Sequence, residues 1–110
     1  MVKSEAVQLD LIFHALSDAT RRSILHGVAR KEKTVGEIAR PFRMSLAAVS
    51  KHLKVLERAK LIERRKEGSF QIVKLNAEAL ERAEHWISYY EQFWSRRLDA
   101  LQELIEEKNK

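Results

Sequence analysis

The chain has 110 residues, 45% hydrophobic and 34% charged, enough for one domain with a modest core and too apolar for a disordered tail. With no cysteine it excludes disulfides and thiolate metal sites, and no apolar run approaches the roughly 20 residues of a transmembrane helix. The net charge of +5 is unevenly spread: seven basic against five acidic groups over residues 1–42, nine against three over 43–74, and five against eight over 75–110. The basic excess therefore lies in the middle of the chain, where it favours an acidic partner, while the last third is acidic. The N-terminus lacks a basic region followed by an apolar one, so a cytoplasmic protein is expected, with no membrane partner.

Three glycines and one proline leave little room for long loops and predict a mostly helical domain. Residues 1–5 are expected to fray. From Ala6 to Leu16, Val7, Leu9, Leu11, Ile12, Phe13 and Leu16 cover most of a short helix, which should be buried on two sides. Ser17 and Asp18 cap a second helix, Ala19 to about Arg30, with Ile24, Leu25 and Val28 inward. Arg21 and Arg22 stand in its first turn, where the helix dipole disfavours cations. Their compensation is either an external phosphate or an intramolecular carboxylate.

Lys31 to Lys33 reads as a polar link. Thr34-Val35-Gly36-Glu37 is a capping box that opens a short helix through Phe42, with Pro41 near its end. Arg43 and Met44 turn the chain into the next helix, for which Ser45 is a good N-cap. Val49, Leu53 and Leu56 form its apolar stripe, and Ala47, Ser50, Lys51, Lys54 and Arg58 its other side. That side is small and hydroxylated at its start and cationic along its length, as suits either solvent or a polyanion. Two helices joined by a turn of about three residues, the second with an approachable start, have the shape of a helix-turn-helix unit.

After Ala59 the hydrophobic period changes from 3.6 to 2. Leu61 to Lys66 and Phe70 to Leu75 read as the two strands of a hairpin around Glu67-Gly68-Ser69. Arg64, Arg65 and Lys66 crowd its tip and repel one another, which is best explained by an external anion, the alternative being a tip that is merely solvated. Asn76 caps a last helix, Ala77 to about Glu107, near 46 Å long at 1.5 Å per residue. Leu80, Ala83, Ile87, Tyr90, Trp94, Leu98, Leu101 and Ile105 make a stripe along it, which Trp86, Tyr89 and Phe93 widen. This is more apolar surface than one small domain covers. Either the first and last helices build a dimer, or the last folds back over the core. The aromatics are dimer core or, in a further reading, a seat for an apolar effector.

His14, His26, His52 and His85 do not pair at the spacing of metal ligands, and no phosphate loop, serine elbow or paired catalytic carboxylates stand out. No catalytic, metal or cofactor site is therefore expected.

The order of helices, hairpin and long helix resembles the ArsR-type winged helix-turn-helix regulators, over about Phe13 to Leu104. The resemblance is carried by Leu16 to Leu25 (L-S-D-A-T-R-R-S-I-L), Thr34 to Ala39 (T-V-G-E-I-A) and Met44 to Ile62, above all Ser45 to Leu56 (S-x-x-x-V-S-K-H-L-K-V-L). It implies one mainly α domain over residues 1–110, with five helices and a small β-hairpin in the order helix, helix, helix, helix, strand, strand, helix. It implies a homodimer through residues 6–16 and 77–107, with Leu9, Ile12, Phe13, Ile87, Tyr90, Trp94, Leu98 and Leu101 at the interface. It further implies a repressor on double-stranded operator DNA with inverted-repeat symmetry, relieved by a small-molecule or protein inducer. Ser45, Leu46, Ala47, Ser50 and Lys51 would then face the major groove, and Lys54, Arg64, Arg65 and Lys66 mostly phosphate. His52 is expected to be structural.

Three positions depart from the family pattern. The metal-sensing cysteines are missing, which points to the metal-independent branch. Leu46 stands where many relatives have a glutamine able to read a base edge, so it offers only apolar contact. Lys60 stands where a glycine often ends the recognition helix. The alternative is a winged-helix module that holds a protein partner without specific DNA binding, which the basic run over residues 43–74 disfavours.

Overall fold

Five helices and three short strands follow one another in the computed structural model, which describes residues 2–109. They are α1 (Val2–Leu16), α2 (Ala19–Arg30), β1 (Lys33–Thr34), α3 (Val35–Ala39), α4 (Leu46–Arg58), β2 (Ile62–Glu67), β3 (Phe70–Leu75) and α5 (Ala77–Lys108). The expected helices are all present. Helix α1 begins at Val2 rather than Ala6: no proline or glycine interrupts the first turn, so the stretch expected to fray is helical from its second residue. Met1 lies outside the described residues.

Polar side chains fix where the helices start. Asp18 accepts from the Arg21 amide at 3.0 Å, Ser45 Oγ from Ala48 at 3.1 Å, and Asn76 Oδ1 from Glu78 at 3.2 Å. Thr34 and Glu37 close the reciprocal capping box before α3. That helix stops at Ala39 rather than Phe42. Pro41 cannot donate a hydrogen bond, and Phe42 instead bonds back to Ala39 as the chain turns. Six residues, 40–45, therefore separate α3 from α4, against the three or so expected.

Helix α4 ends on Lys60 with φ +61°, in the left-handed region. The Lys60 amide bonds to Glu57 O at 2.9 Å and the Leu61 amide to Leu56 O at 3.0 Å, the two bonds of a Schellman cap. The cap turns the chain straight into β2. Strands β2 and β3 pair from Ile62↔Leu75 to Glu67↔Phe70, leaving Gly68 and Ser69 as a two-residue turn with Gly68 at φ +63°.

The sheet has a third strand that was expected to be a link. Lys33 and Thr34 pair antiparallel with Val73 and Ile72, giving the order β1-β3-β2. Two residues carry no periodicity, and the pairing comes from where α2 and α3 hold them.

The core joins Ile12 and Ala15 of α1, Ile24, Leu25 and Val28 of α2, and Ile38 of α3 to Val49, Leu53 and Leu56 of α4. Ala59, Leu61, Ile62, Val73, Ala79 and Ala83 complete it. Ile12 was expected on a dimer face. It is wholly buried in this core and has no surface left for a partner. Leu9 and Phe13 are half-buried. Ala79 and Ala83 of α5 are buried in the core and Leu80 packs against it, while the helix is exposed from Tyr89 onward.

Candidate nucleic-acid interface

The Ser45 cap and the Val49, Leu53 and Leu56 stripe fix how α4 sits. Its inner side is sealed, and its outer side presents Ala47, Lys51, Lys54 and Arg58 to solvent. At its start Leu46 is 64% exposed, and Ser50 is half-buried at the margin. Ser45, Leu46, Ala47, Ser50 and Lys51 thus gather at the first half of one helix. Lys54 stands on the second half, beside the hairpin. An open groove of about 350 Å³ between them is lined by Lys54, Glu57, Arg64, Arg65, Lys66 and Gln71.

The hairpin cations do not form one repelling cluster. Alternation along β2 turns Arg64 and Lys66 to the α4 side and Arg65 to the other. Arg64 is largely buried, with Nε 3.4 Å from Glu57 and Nη1 donating to Gln71 Oε1 at 3.4 Å. Its Nε lies within ion-pair distance of the carboxylate but lacks hydrogen-bond geometry. Arg65 Nη2 donates to Glu32 at 2.8 Å and to Glu67 at 3.3 Å. The Glu32 bond holds that carboxyl below the usual carboxylate range and pushes the Arg65 guanidinium up. The mutual repulsion expected at the tip is relieved for Arg64 and Arg65 by carboxylates of the chain itself. Glu32 and Glu57 were not singled out from the sequence. No local spacing marks Glu32, which β1 carries to the sheet.

Within the described residues the guanidinium groups of Arg21 and Arg22 pair with main-chain carbonyls rather than with a side-chain carboxylate. Arg21 Nε donates to Ala15 O at 2.8 Å and Nη2 to His14 O at 3.0 Å, and Arg22 Nη1 to Leu16 O at 2.8 Å. The pair donates to the last carbonyls of α1, which lack amide donors from a following helical turn; His14 O also accepts from the Ser17 amide and hydroxyl. His52 is packed within the unit as expected, its Nδ1 3.2 Å from Arg21 Nη1. Among the described residues no three His, Asp or Glu side chains gather to hold a metal ion.

A capped helix with an approachable, cationic outer side, a helix before it and a basic hairpin beside it define a winged helix-turn-helix nucleic-acid-binding domain. Residues 16–65 match the family model described as a helix-turn-helix domain. The chain is 36% identical over 97 residues to the HTH-type transcriptional regulator Rv2034 of Mycobacterium tuberculosis, covering 88% of each. It is 36% identical over 76 residues to the transcriptional repressor SdpR of Bacillus subtilis, covering 69% of this chain and 84% of that one. The fold matches the crystal structure of an ArsR family transcriptional regulator, RHA00566, with a TM-score of 0.77 at 34% identity, over 82% of this chain and 93% of that one. The chain belongs to the ArsR family of helix-turn-helix transcriptional regulators, and its function is DNA-binding transcriptional regulation.

Proposed function

We propose that the protein is a homodimeric, metal-independent repressor that acts by binding an inverted-repeat operator, without catalysis, in the bacterial cytoplasm. The reading is carried by one observation: α4 leaves Leu46, Ala47, Lys51 and Lys54 uncovered on one side while its other side is core. Ser45, Leu46, Ala47, Ser50 and Lys51 enter the major groove. Leu46 and Ala47 contribute apolar contact, for instance with thymine methyls, and Ser50 and Lys51 polar contact. Lys54, Arg64, Arg65 and Lys66 take backbone phosphates.

Support for the dimer comes from α5. Ile87, Tyr90, Trp94, Leu98 and Leu101 are each about half exposed, and beside them Phe13 meets the Trp86 ring edge-on at 5.5 Å. A continuous apolar face of this size is costly in water, and a second copy covers it by two-fold symmetry. Leu9, Phe13 and these α5 residues form the proposed interface, without Ile12. Support for metal independence is the donor set, which has no thiolate. Repression is inferred from kinship with a protein named as a repressor.

The test is operator affinity against salt. Lys54 and Lys66 from two protomers would neutralise four phosphates, for a slope of log K on log salt of about −4. Adding Arg64 and Arg65 takes it to about −7. A slope near zero, or a footprint covering a single half-site, would overturn the reading.

A further inference from the structure

Arg21 is the only charged residue buried among the described residues, 9% exposed, and the metal-independent DNA-reading account above gives it no role. Its guanidinium lies at the meeting of three elements. Two of its nitrogens hold the carbonyls of His14 and Ala15 at the end of α1, and the third reaches His52 Nδ1 on α4 at 3.2 Å. A guanidinium has donors and no acceptor, and it stays protonated. His52 Nδ1 must therefore offer a lone pair, which places the ring proton on Nε2 and makes the neutral ring the form that fits. Asp18 Oδ2 lies 3.9 Å from the same Nδ1.

We propose that Arg21 and His52 are a positioning pair for DNA recognition: the neutral His52 ring accepts from Arg21 and fixes α4 against the end of α1, and acidification releases it. The proposal rests on α4 being the recognition helix. Once the ring is protonated, Nδ1 carries a proton directed at a cation. The acceptor within reach is then Asp18, so the ring turns from α2 towards the link between α1 and α2, drawing on α4. Asp18 remains a carboxylate for this, because the Arg21 amide, the largest influence on it, holds its carboxyl below the usual range.

Arg21 and Asp18 are the charged side chains that face His52 from α2 and from the link before it. The end of α1 presents main-chain carbonyls, and the His14 side chain is exposed. On α4 itself Lys51 is adjacent and points to solvent. Among the described residues no carboxylate of α3 or β2 lies within ion-pair distance of the ring. Base contacts need α4 placed closely, whereas phosphate contacts tolerate displacement. The pair therefore governs selectivity and leaves general DNA affinity alone.

The experiment measures affinity for operator and for an unrelated duplex, at fixed salt, from about pH 7.5 to about pH 5.5, where histidines change charge. Wild type, His52→Asn and Arg21→Lys are compared, each shown to be folded by circular dichroism. In wild type the ratio of specific to non-specific affinity should fall about tenfold, or about 1.4 kcal/mol, on acidification. Non-specific binding should hold, because phosphate contacts tolerate a displaced helix. In His52→Asn, whose amide oxygen accepts from Arg21 without titrating, the ratio should no longer move with pH. In Arg21→Lys, which keeps the charge but loses the fork, it should be low throughout. A wild-type ratio that stays flat, or a His52→Asn ratio that falls like the wild type, overturns the pair. A wild type that fails to prefer operator at pH 7.5 overturns the assignment of α4 first, and the pair with it.

Discussion

Helix α4 and the β2–β3 hairpin are the two basic regions of the molecule, and their cations behave differently. Lys51 and Lys54 on α4 have no ion-pair or hydrogen-bond partner among the described residues. Arg64 is tied to Glu57 and Gln71, and Arg65 to Glu32 and Glu67. When an unpaired lysine meets a phosphate, the DNA releases a condensed counterion and no contact within the protein is broken. A paired arginine must first release a carboxylate, which then stands close to the DNA. Equal formal charge therefore does not mean equal contribution, and α4 should account for more of the binding than the hairpin.

Lys51→Ala should have the largest effect. Loss of a groove contact from each protomer should weaken operator binding by about 1–3 kcal/mol per site and affect an unrelated duplex less. Gel-shift titration against both duplexes checks this. An equal loss on the two would demote Lys51 to a phosphate contact and remove the distinction between reading helix and hairpin.

Lys54→Ala and Arg65→Ala come next and set the two regions side by side. Each should weaken specific and non-specific binding alike, since phosphate carries no sequence. Lys54→Ala should reduce the salt slope by about 1 per protomer. Arg65→Ala should reduce it by less, because part of its charge is already neutralised by Glu32 and Glu67. Should Arg65→Ala match or exceed Lys54→Ala in salt titrations, the carboxylates do not restrain the hairpin and the comparison fails.

Much of this was legible because it is local. The caps at Ser45, Asn76 and Thr34–Glu37, the buried stripe of Val49, Leu53 and Leu56, and the glycine turn each follow from residues within one or two turns of each other. The left-handed Lys60 was marked through the family resemblance, as the position where relatives often carry glycine. What escaped depends on pairs brought together by tertiary structure. Thr34 and Ile72 pair across 38 positions of the chain. Arg65 finds Glu32, 33 residues away, because of that same strand. Arg21 and Arg22 signalled a need for compensation, but the sequence cannot show that main-chain carbonyls of the preceding helix meet it. In the site, the cations were identified and their partners were not.

Glu32→Gln gives the smallest effect and the sharpest view of the hairpin. It removes one of the two carboxylates that hold Arg65 and leaves Glu67 in place. At neutral pH non-specific DNA affinity should rise about twofold to threefold, with a slightly steeper salt slope, since at most one more phosphate is neutralised per protomer. The folded state lowers the Glu32 carboxyl below its usual range. The pairing therefore supports the fold above that range and is lost as pH falls through the lowered value. Thermal melts of wild type and Glu32→Gln should differ at neutral pH and converge in acid. Between about pH 6 and about pH 8 Glu32 stays ionised, so the gain in DNA affinity should be constant there. A constant gain keeps it apart from the pH-dependent change in selectivity proposed for the Arg21–His52 pair. A gain that varied across this window would mean that Arg65 is restrained by something other than this carboxylate.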